Sequence, residues 1–147
     1  MNWKHEAIGK LKRYEAMQAA MVSLPQELKR LEEENTAIRS ARSDSTPVKG
    51  GASRREEAML NNIMERQEVT QALNNAVAWV QIVDRGLSCL TKEEKTILQR
   101  IYIYPEKNGL KRLCEELGVE MSSVYRRRDK ALQTFTLALY GATGEEW

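Results

Sequence analysis

A long apolar stripe near the amino terminus restricts the fold of this chain more than any other feature. Between residues 3 and 40, apolar residues recur at spacings of three and four with one polar interruption, Asn35: Tyr14, Met17, Met21, Leu24, Leu28, Leu31 and Ile38. This heptad spacing places one narrow stripe on a helix, which a partner helix must cover. Proline is harmless only in the first turn of a helix. Pro25 therefore predicts two helices, the second starting near Leu24, or one kinked helix.

A second long helix is expected after a polar connector. Ser53 and Glu56 form the S-x-x-E pattern of a capping box, which predicts the helix start. The apolar positions behind it continue at mostly helical spacing: Met59, Ile63, Leu73, Val77, Val80, Ile82, Val83 and Leu87. The connector, residues 41–53, is rich in Ser, Gly and charge. It is long enough to reverse the chain, so the second helix is predicted to pack antiparallel to the first or against another subunit.

Three shorter helices are expected from Leu90 onward. Thr91 and Glu94 repeat the capping-box pattern, and Pro105 with Asn108-Gly109 ends the first of these helices. The second runs over Leu110–Leu117. Gly118 follows it, where a left-handed backbone costs glycine nothing. Ser122 is predicted to cap the third helix, whose interior face would be Val124, Ala131, Leu132, Phe135 and Leu139.

The spacing within these helices predicts a helix-turn-helix. Counting from Leu110, apolar residues occupy the fourth, eighth, tenth and fifteenth positions: Leu113, Leu117, Val119 and Val124. A small residue, Cys114, is fifth, and Gly118 is ninth. The combination is more specific than any single match. The predicted fold is therefore all-α. A long helical hairpin or coiled-coil-like extension (residues 1–88) precedes a three-helix, helix-turn-helix DNA-binding domain (residues 89–147).

The outward face of the third helix carries the expected chemistry. Between Arg126 and Lys130, four cations against the single carboxylate of Asp129 give a local charge of +3. Short hydroxyl side chains and arginine can reach base edges in the major groove, while the remaining cations neutralise phosphates. The predicted DNA contacts are Ser122, Ser123, Tyr125, Arg126, Arg127, Lys130, Lys111 and Arg112. The alternative is a solvated basic face on a purely structural bundle.

Composition limits the other classes of function. Charged residues make up 30% of the chain, yet its net charge is only +2, so a nucleic-acid signal must come from local clustering. Two cysteines and one histidine cannot complete a four-ligand zinc site. Neither a glycine-rich phosphate loop nor a nucleophile with a base partner is evident. The chain is therefore expected to be cytoplasmic and not an enzyme, without metal, cofactor, small-molecule substrate or membrane span.

The carboxy-terminal motifs resemble region four of bacterial sigma factors, which contacts promoter −35 elements. The matching segments are 90–94 with Ile97-Leu98, 113–119, 122–127, and Ala131-Leu132. The wider layout resembles ArpU-type phage and prophage regulators, including a loop with Ser43, Asp44, Pro47, Gly50 and Gly51. This resemblance implies a regulator of phage late genes in a bacterial host, with host RNA polymerase as a candidate partner. Arg128 departs from the sigma-like pattern, which usually has an apolar residue there, and Pro105 replaces a Gly-containing turn.

Three functions stay open at this point. The first is a sequence-specific transcription regulator that binds double-stranded DNA as a homodimer. The second is a DNA-packaging recognition protein similar to a phage terminase small subunit, which also joins a helix-turn-helix to oligomerising helices. The third is a module that binds polymerase or a sigma factor without binding DNA. Oligomeric state and the salt dependence of DNA affinity separate them.

Overall fold

The described part of the chain, residues 1–41 and 51–143 of a computed structural model, is helical throughout its regular structure and contains no strand. The elements are α1 (Trp3–Ser40), α2 (Gly51–Ser88), α3 (Lys92–Leu98), a π-helical turn (Gln99–Ile103), α4 (Gly109–Leu117) and α5 (Met121–Tyr140). The all-α prediction is confirmed. Most of the predicted connector at 41–53, including Ser43, Asp44, Pro47 and Gly50, lies outside the described residues.

Helix α1 is one continuous helix that contains Pro25, so the alternative of two separate helices is wrong. Its predicted apolar stripe is the less exposed side: Tyr14 and Leu31 are buried, and the other members are half-buried. Helix α2 begins at Gly51. Ser53 therefore lies inside the first turn, and its prediction as the N-cap is wrong.

The chain forms two compact units. The first unit combines residues 1–18 with the chain from residue 78 onward, and the second unit is Ala19–Val77. Helices α1 and α2 each contribute to both. The predicted boundary between a helical region (residues 1–88) and a DNA-binding domain (residues 89–147) stays a prediction.

In the first unit, the amino-terminal end of α1 and the carboxy-terminal end of α2 contribute to the core around α5. The Tyr14 hydroxyl donates to Asp84 Oδ1 at 2.5 Å, and Trp79 Nε1 donates to the Lys10 carbonyl at 3.1 Å. Burial, together with the Asp84 hydrogen bond, raises the pKa of Tyr14. Gly86 faces the ring of Phe135, which is fully buried. The carboxy-terminal half of α5 is thereby anchored, and α5 also contacts α3 and α4.

The second unit has a much smaller interior. The buried Asn62 side chain donates to the Leu31 carbonyl at 2.9 Å and accepts from Arg66 Nε at 2.8 Å. Only Leu31, Asn62 and Ala76 are buried among its described residues. Several large apolar side chains remain exposed: Val22, Leu60, Ile63 and Met64.

Candidate nucleic-acid interface

A small apolar core holds α3, α4 and α5 together. Ile97, Leu113 and Val124, one from each helix, are completely buried. Partly buried apolar residues surround them: Ile101, Leu110, Cys114, Leu117 and Val119. The positions predicted to face inwards in this region are therefore confirmed, including Cys114 as a small core residue.

The turn between α4 and α5 has the predicted backbone conformation. Gly118 adopts φ 66° and ψ 33°, in the left-handed region that favours glycine, and its N–H donates to the Cys114 carbonyl. The Val119 N–H donates to the same carbonyl at 3.1 Å. A second left-handed residue, Asn108 with φ 63°, directly precedes α4. Asparagine tolerates this conformation, and the Asn-Gly pair was the available signal in the sequence.

The start of α3 is confirmed and the start of α5 is corrected. Thr91 Oγ1 accepts from the Glu94 N–H at 3.2 Å, and Glu94 Oε1 accepts from the Thr91 N–H at 3.3 Å. Helix α5, however, begins at Met121 after Glu120, whose side chain makes no capping hydrogen bond. Ser122 therefore does not cap α5. The packing of Val119 and Val124 in the core sets where α5 begins. The position of the nearest good capping side chain, Ser122, does not set it.

The helix after Thr91 also departs from the simple pattern. It changes at Gln99 to a π-helical turn, where the Tyr104 N–H donates to the Gln99 carbonyl at 2.7 Å. The wider turn brings Ile103 into the interior, where it is 3% exposed. A regular helix would instead place Ile101 and Tyr102 on the same face as Ile97 and Leu98. Both of these residues are half-buried.

One face of α5 presents a row of cations to solvent. Ser123, Arg126, Arg127 and Lys130, here called the basic stripe, line a single open cleft. Spacings of three, four and seven residues place side chains on one side of a helix. Arg126 Nη2 donates to Ser123 Oγ at 3.1 Å. Ser122 is exposed in the same turn of the helix. Helical periodicity therefore brings half of the predicted contact residues together.

An acidic residue from α3 reaches the stripe. Arg127 Nη1 forms an ion pair and a hydrogen bond with Glu93 Oε1, and both side chains are 44% exposed. Thr91, Glu94 and Ile97 line the neighbouring cleft together with Glu93, Arg127 and Lys130. Thirty-four positions separate Glu93 from Arg127, so no local sequence pattern indicated this contact.

Arg128 and Tyr125 form a separate group beside the stripe. The Arg128 guanidinium carbon lies 4.8 Å from the Tyr125 ring centroid, and Nη2 pairs with Asp129 Oδ1 at 3.0 Å. The charge of Arg128 is thus balanced within the chain. These contacts accommodate a cation at a position where sigma-like sequences have an apolar residue. Tyr125 is exposed, yet it lies two residues, or about 160° around the helix, from both Ser123 and Arg127. It is therefore outside the stripe.

The two predicted contacts on α4 are also apart from the stripe. Lys111 and Arg112 are exposed, and Arg112 Nη1 pairs with Glu106 Oε2 at 3.2 Å. Among residues 1–41 and 51–143, no hydrogen bond or ion pair joins either residue to α5. Their role as DNA contacts stays a prediction.

No known protein family, curated protein or solved structure matches this chain. Nowhere in the described ranges does a helix have both the length and the apolar content needed to cross a bilayer. Nor do three or more His, Cys, Asp or Glu side chains in those ranges form a group that could hold a metal ion.

Proposed function

We propose that this chain is a sequence-specific, DNA-binding transcription regulator in which α4, the Gly118 turn and α5 form a helix-turn-helix. The observation that carries the proposal is the basic stripe: three cations and a serine hydroxyl share an open face of α5. The opposite face, with Leu132 and Phe135, is completely buried. A helix held by its apolar side and cationic on its free side suits insertion into the major groove.

The order of side chains along α5 suggests which of them contact bases and which contact phosphates. Recognition helices contact base edges mainly with their amino-terminal residues. Ser122, Ser123 and Arg126 occupy the first two turns, and an arginine there can form two hydrogen bonds with guanine. Arg127 and Lys130 contact phosphates, which position the helix without discriminating sequence. Lys111 and Arg112 on α4 are further phosphate contacts under this proposal.

Arg126→Ala tests base contact directly. On a duplex selected by the protein from random sequences, we expect a loss of about 1–3 kcal/mol and a relaxed preference for sequence. Arg30→Ala is a matched control, because Arg30 is an exposed arginine of the second unit whose described ion pairs are with Glu27 and Glu34. It removes the same charge and should leave sequence preference unchanged.

The outcomes separate the alternatives. If Arg126→Ala weakens binding equally on selected and random duplexes, Arg126 does not contact bases. If the protein binds no duplex at low salt, DNA binding is refuted and the polymerase- or sigma-binding module is favoured. Binding that depends on phosphate neutralisation should weaken with salt, with a slope of log K against log salt of about −0.9 per neutralised phosphate.

The biological setting is part of the proposal. The similarity to sigma region four and to ArpU-type regulators supports control of phage or prophage late genes in the cytoplasm of a bacterial host. Host RNA polymerase is a candidate partner. Activation of transcription from phage late promoters by purified host polymerase and this protein would support this setting. An unchanged transcript level with saturating protein would argue against it.

Homodimerisation is proposed through the second unit. Its described residues bury few side chains and leave Leu60, Ile63 and Met64, one turn of α2, exposed. A second copy would cover apolar surface that one chain leaves in water. Light scattering tests this: a dimer supports the proposal, a monomer refutes it, and a ring of many subunits favours the terminase-like packaging alternative.

A further inference from the structure

One cation of the basic stripe differs from the other two in its partners. Arg127 is paired with the Glu93 carboxylate. Arg126 contacts the neutral hydroxyl of Ser123, and Lys130 makes no ion pair within the part of the chain that the structure describes. The stripe thus includes one cation whose charge the protein already balances at the proposed DNA surface.

Glu93 is held in place by the start of α3. Thr91 is the N-cap, and its capping box with Glu94 anchors the backbone on both sides of Glu93. A carboxylate in the first turn of a helix is also favoured by the helix dipole. The backbone at Glu93 is therefore positioned by α3 independently of Arg127.

The pair remains accessible to a phosphate. Both side chains are 44% exposed, and Arg127 and Lys130 line two neighbouring open clefts. A DNA phosphate that reaches Arg127 either displaces the Glu93 carboxylate or lies next to it. In both cases the Glu93 carboxylate repels the phosphate. Among residues 1–41 and 51–143, the Arg127 guanidinium is the only cation paired with that carboxylate.

We propose that Glu93 competes with DNA phosphate for Arg127 and thereby lowers the affinity of the protein for DNA of any sequence. This inference rests on the proposed function. It makes Glu93 an affinity-limiting residue of the interface, with discrimination between sequences left to Ser122, Ser123 and Arg126. Removing the carboxylate should free Arg127 for phosphate contact and should affect all duplexes alike, because phosphate contacts carry no sequence information.

Glu93→Gln is the direct test, in the full-length chain. Glutamine keeps the size of the side chain and removes its charge. Binding to mixed-sequence duplex should tighten about 3- to 10-fold, as expected for removing a screened unit charge at about 6 Å from a phosphate. The slope of log K against log salt should become steeper by about 0.9, equivalent to one additional phosphate contact.

Glu116→Gln is the matched control. Glu116 pairs with Arg100 at 3.1 Å and its side chain is 49% exposed, so this variant also removes one carboxylate and one surface ion pair. Arg100 is not part of the stripe. The control should therefore leave the salt slope unchanged and alter affinity less than Glu93→Gln does. Circular dichroism melts verify that both variants fold, which is expected because exposed ion pairs contribute little to stability.

The Arg127→Gln background completes the experiment. Glu93→Gln should lose its effect on the salt slope there, since the cation it releases is absent. The inference is overturned if wild type binds DNA and Glu93→Gln matches it, or if Glu93→Gln acts equally in the Arg127→Gln background. A changed ranking of sequences also overturns it, because it would make Glu93 a base contact. If neither wild type nor Glu93→Gln binds duplex at low salt, the proposed function itself is refuted.

Discussion

Gly86→Ala tests the packing of α2 against α5 in the first unit. A Cβ at Gly86 would lie 2.6 Å from Cε2 and 2.9 Å from Cδ2 of Phe135. Carbon atoms in favourable contact are about 3.5–4.0 Å apart, so the ring or the helix must move. Phe135 is fully buried, and moving its ring disturbs the surrounding core.

The expected magnitude follows from two opposing effects. Overpacking a core costs about 1–3 kcal/mol, while replacing glycine with alanine inside a helix gains about 1 kcal/mol. Two contacts below 3.0 Å place the clash near the upper end, which predicts a net destabilisation of about 2 kcal/mol. Gly9→Ala is the control, because nothing lies within 4 Å of its added Cβ. That variant should gain up to about 1 kcal/mol, so the two should differ by about 3 kcal/mol.

Urea unfolding followed by tryptophan fluorescence measures both variants. Trp3 and Trp79 belong to the first unit and report on its unfolding. The dependence of stability on urea should be unchanged, so that a shift in midpoint reflects stability alone. Equal stability of Gly86→Ala and Gly9→Ala would refute the reasoning, because it would mean that Phe135 yields to the added methyl group without cost.

Two further changes test the turn and the first unit. Gly118→Ala should cost about 1–2 kcal/mol because φ is 66°, whereas Gly118→Asn should cost less since asparagine tolerates a left-handed backbone; equal melting temperatures would contradict this. Tyr14→Phe removes the 2.5 Å hydrogen bond to Asp84 and should cost about 1–2 kcal/mol in urea unfolding. An undiminished effect in an Asp84→Ala background would show that the hydrogen bond is not the cause.

The candidate interface was only partly predictable. Ser123, Arg126, Arg127 and Lys130 share a face because a helix has a fixed period, and that period is visible in the sequence. The same period places Tyr125 away from the stripe, and its ring lies beside Arg128. No local pattern indicated the contact with Glu93, which is 34 residues away from Arg127.

The spacing of residue types along the chain determined the helices, the left-handed turn and the interior positions around that turn. Apolar residues at spacings of three and four specify a helical face, and Gly118 permits a backbone that other residues resist. These features depend on neighbours in the chain. The sequence alone was therefore enough for the all-α fold, the Thr91 cap and the inward side of α5.

Tertiary packing decided what depends on residues distant in the chain. The start of α5 follows from where Val119 and Val124 meet the core, although Ser122 was the better capping residue nearby. Gly86 is needed because Phe135 occupies the space of its missing side chain. Arg127 is paired because α3 places Glu93 beside it. Burial and Coulomb attraction act between side chains that are close in space, and the fold alone determines that distance.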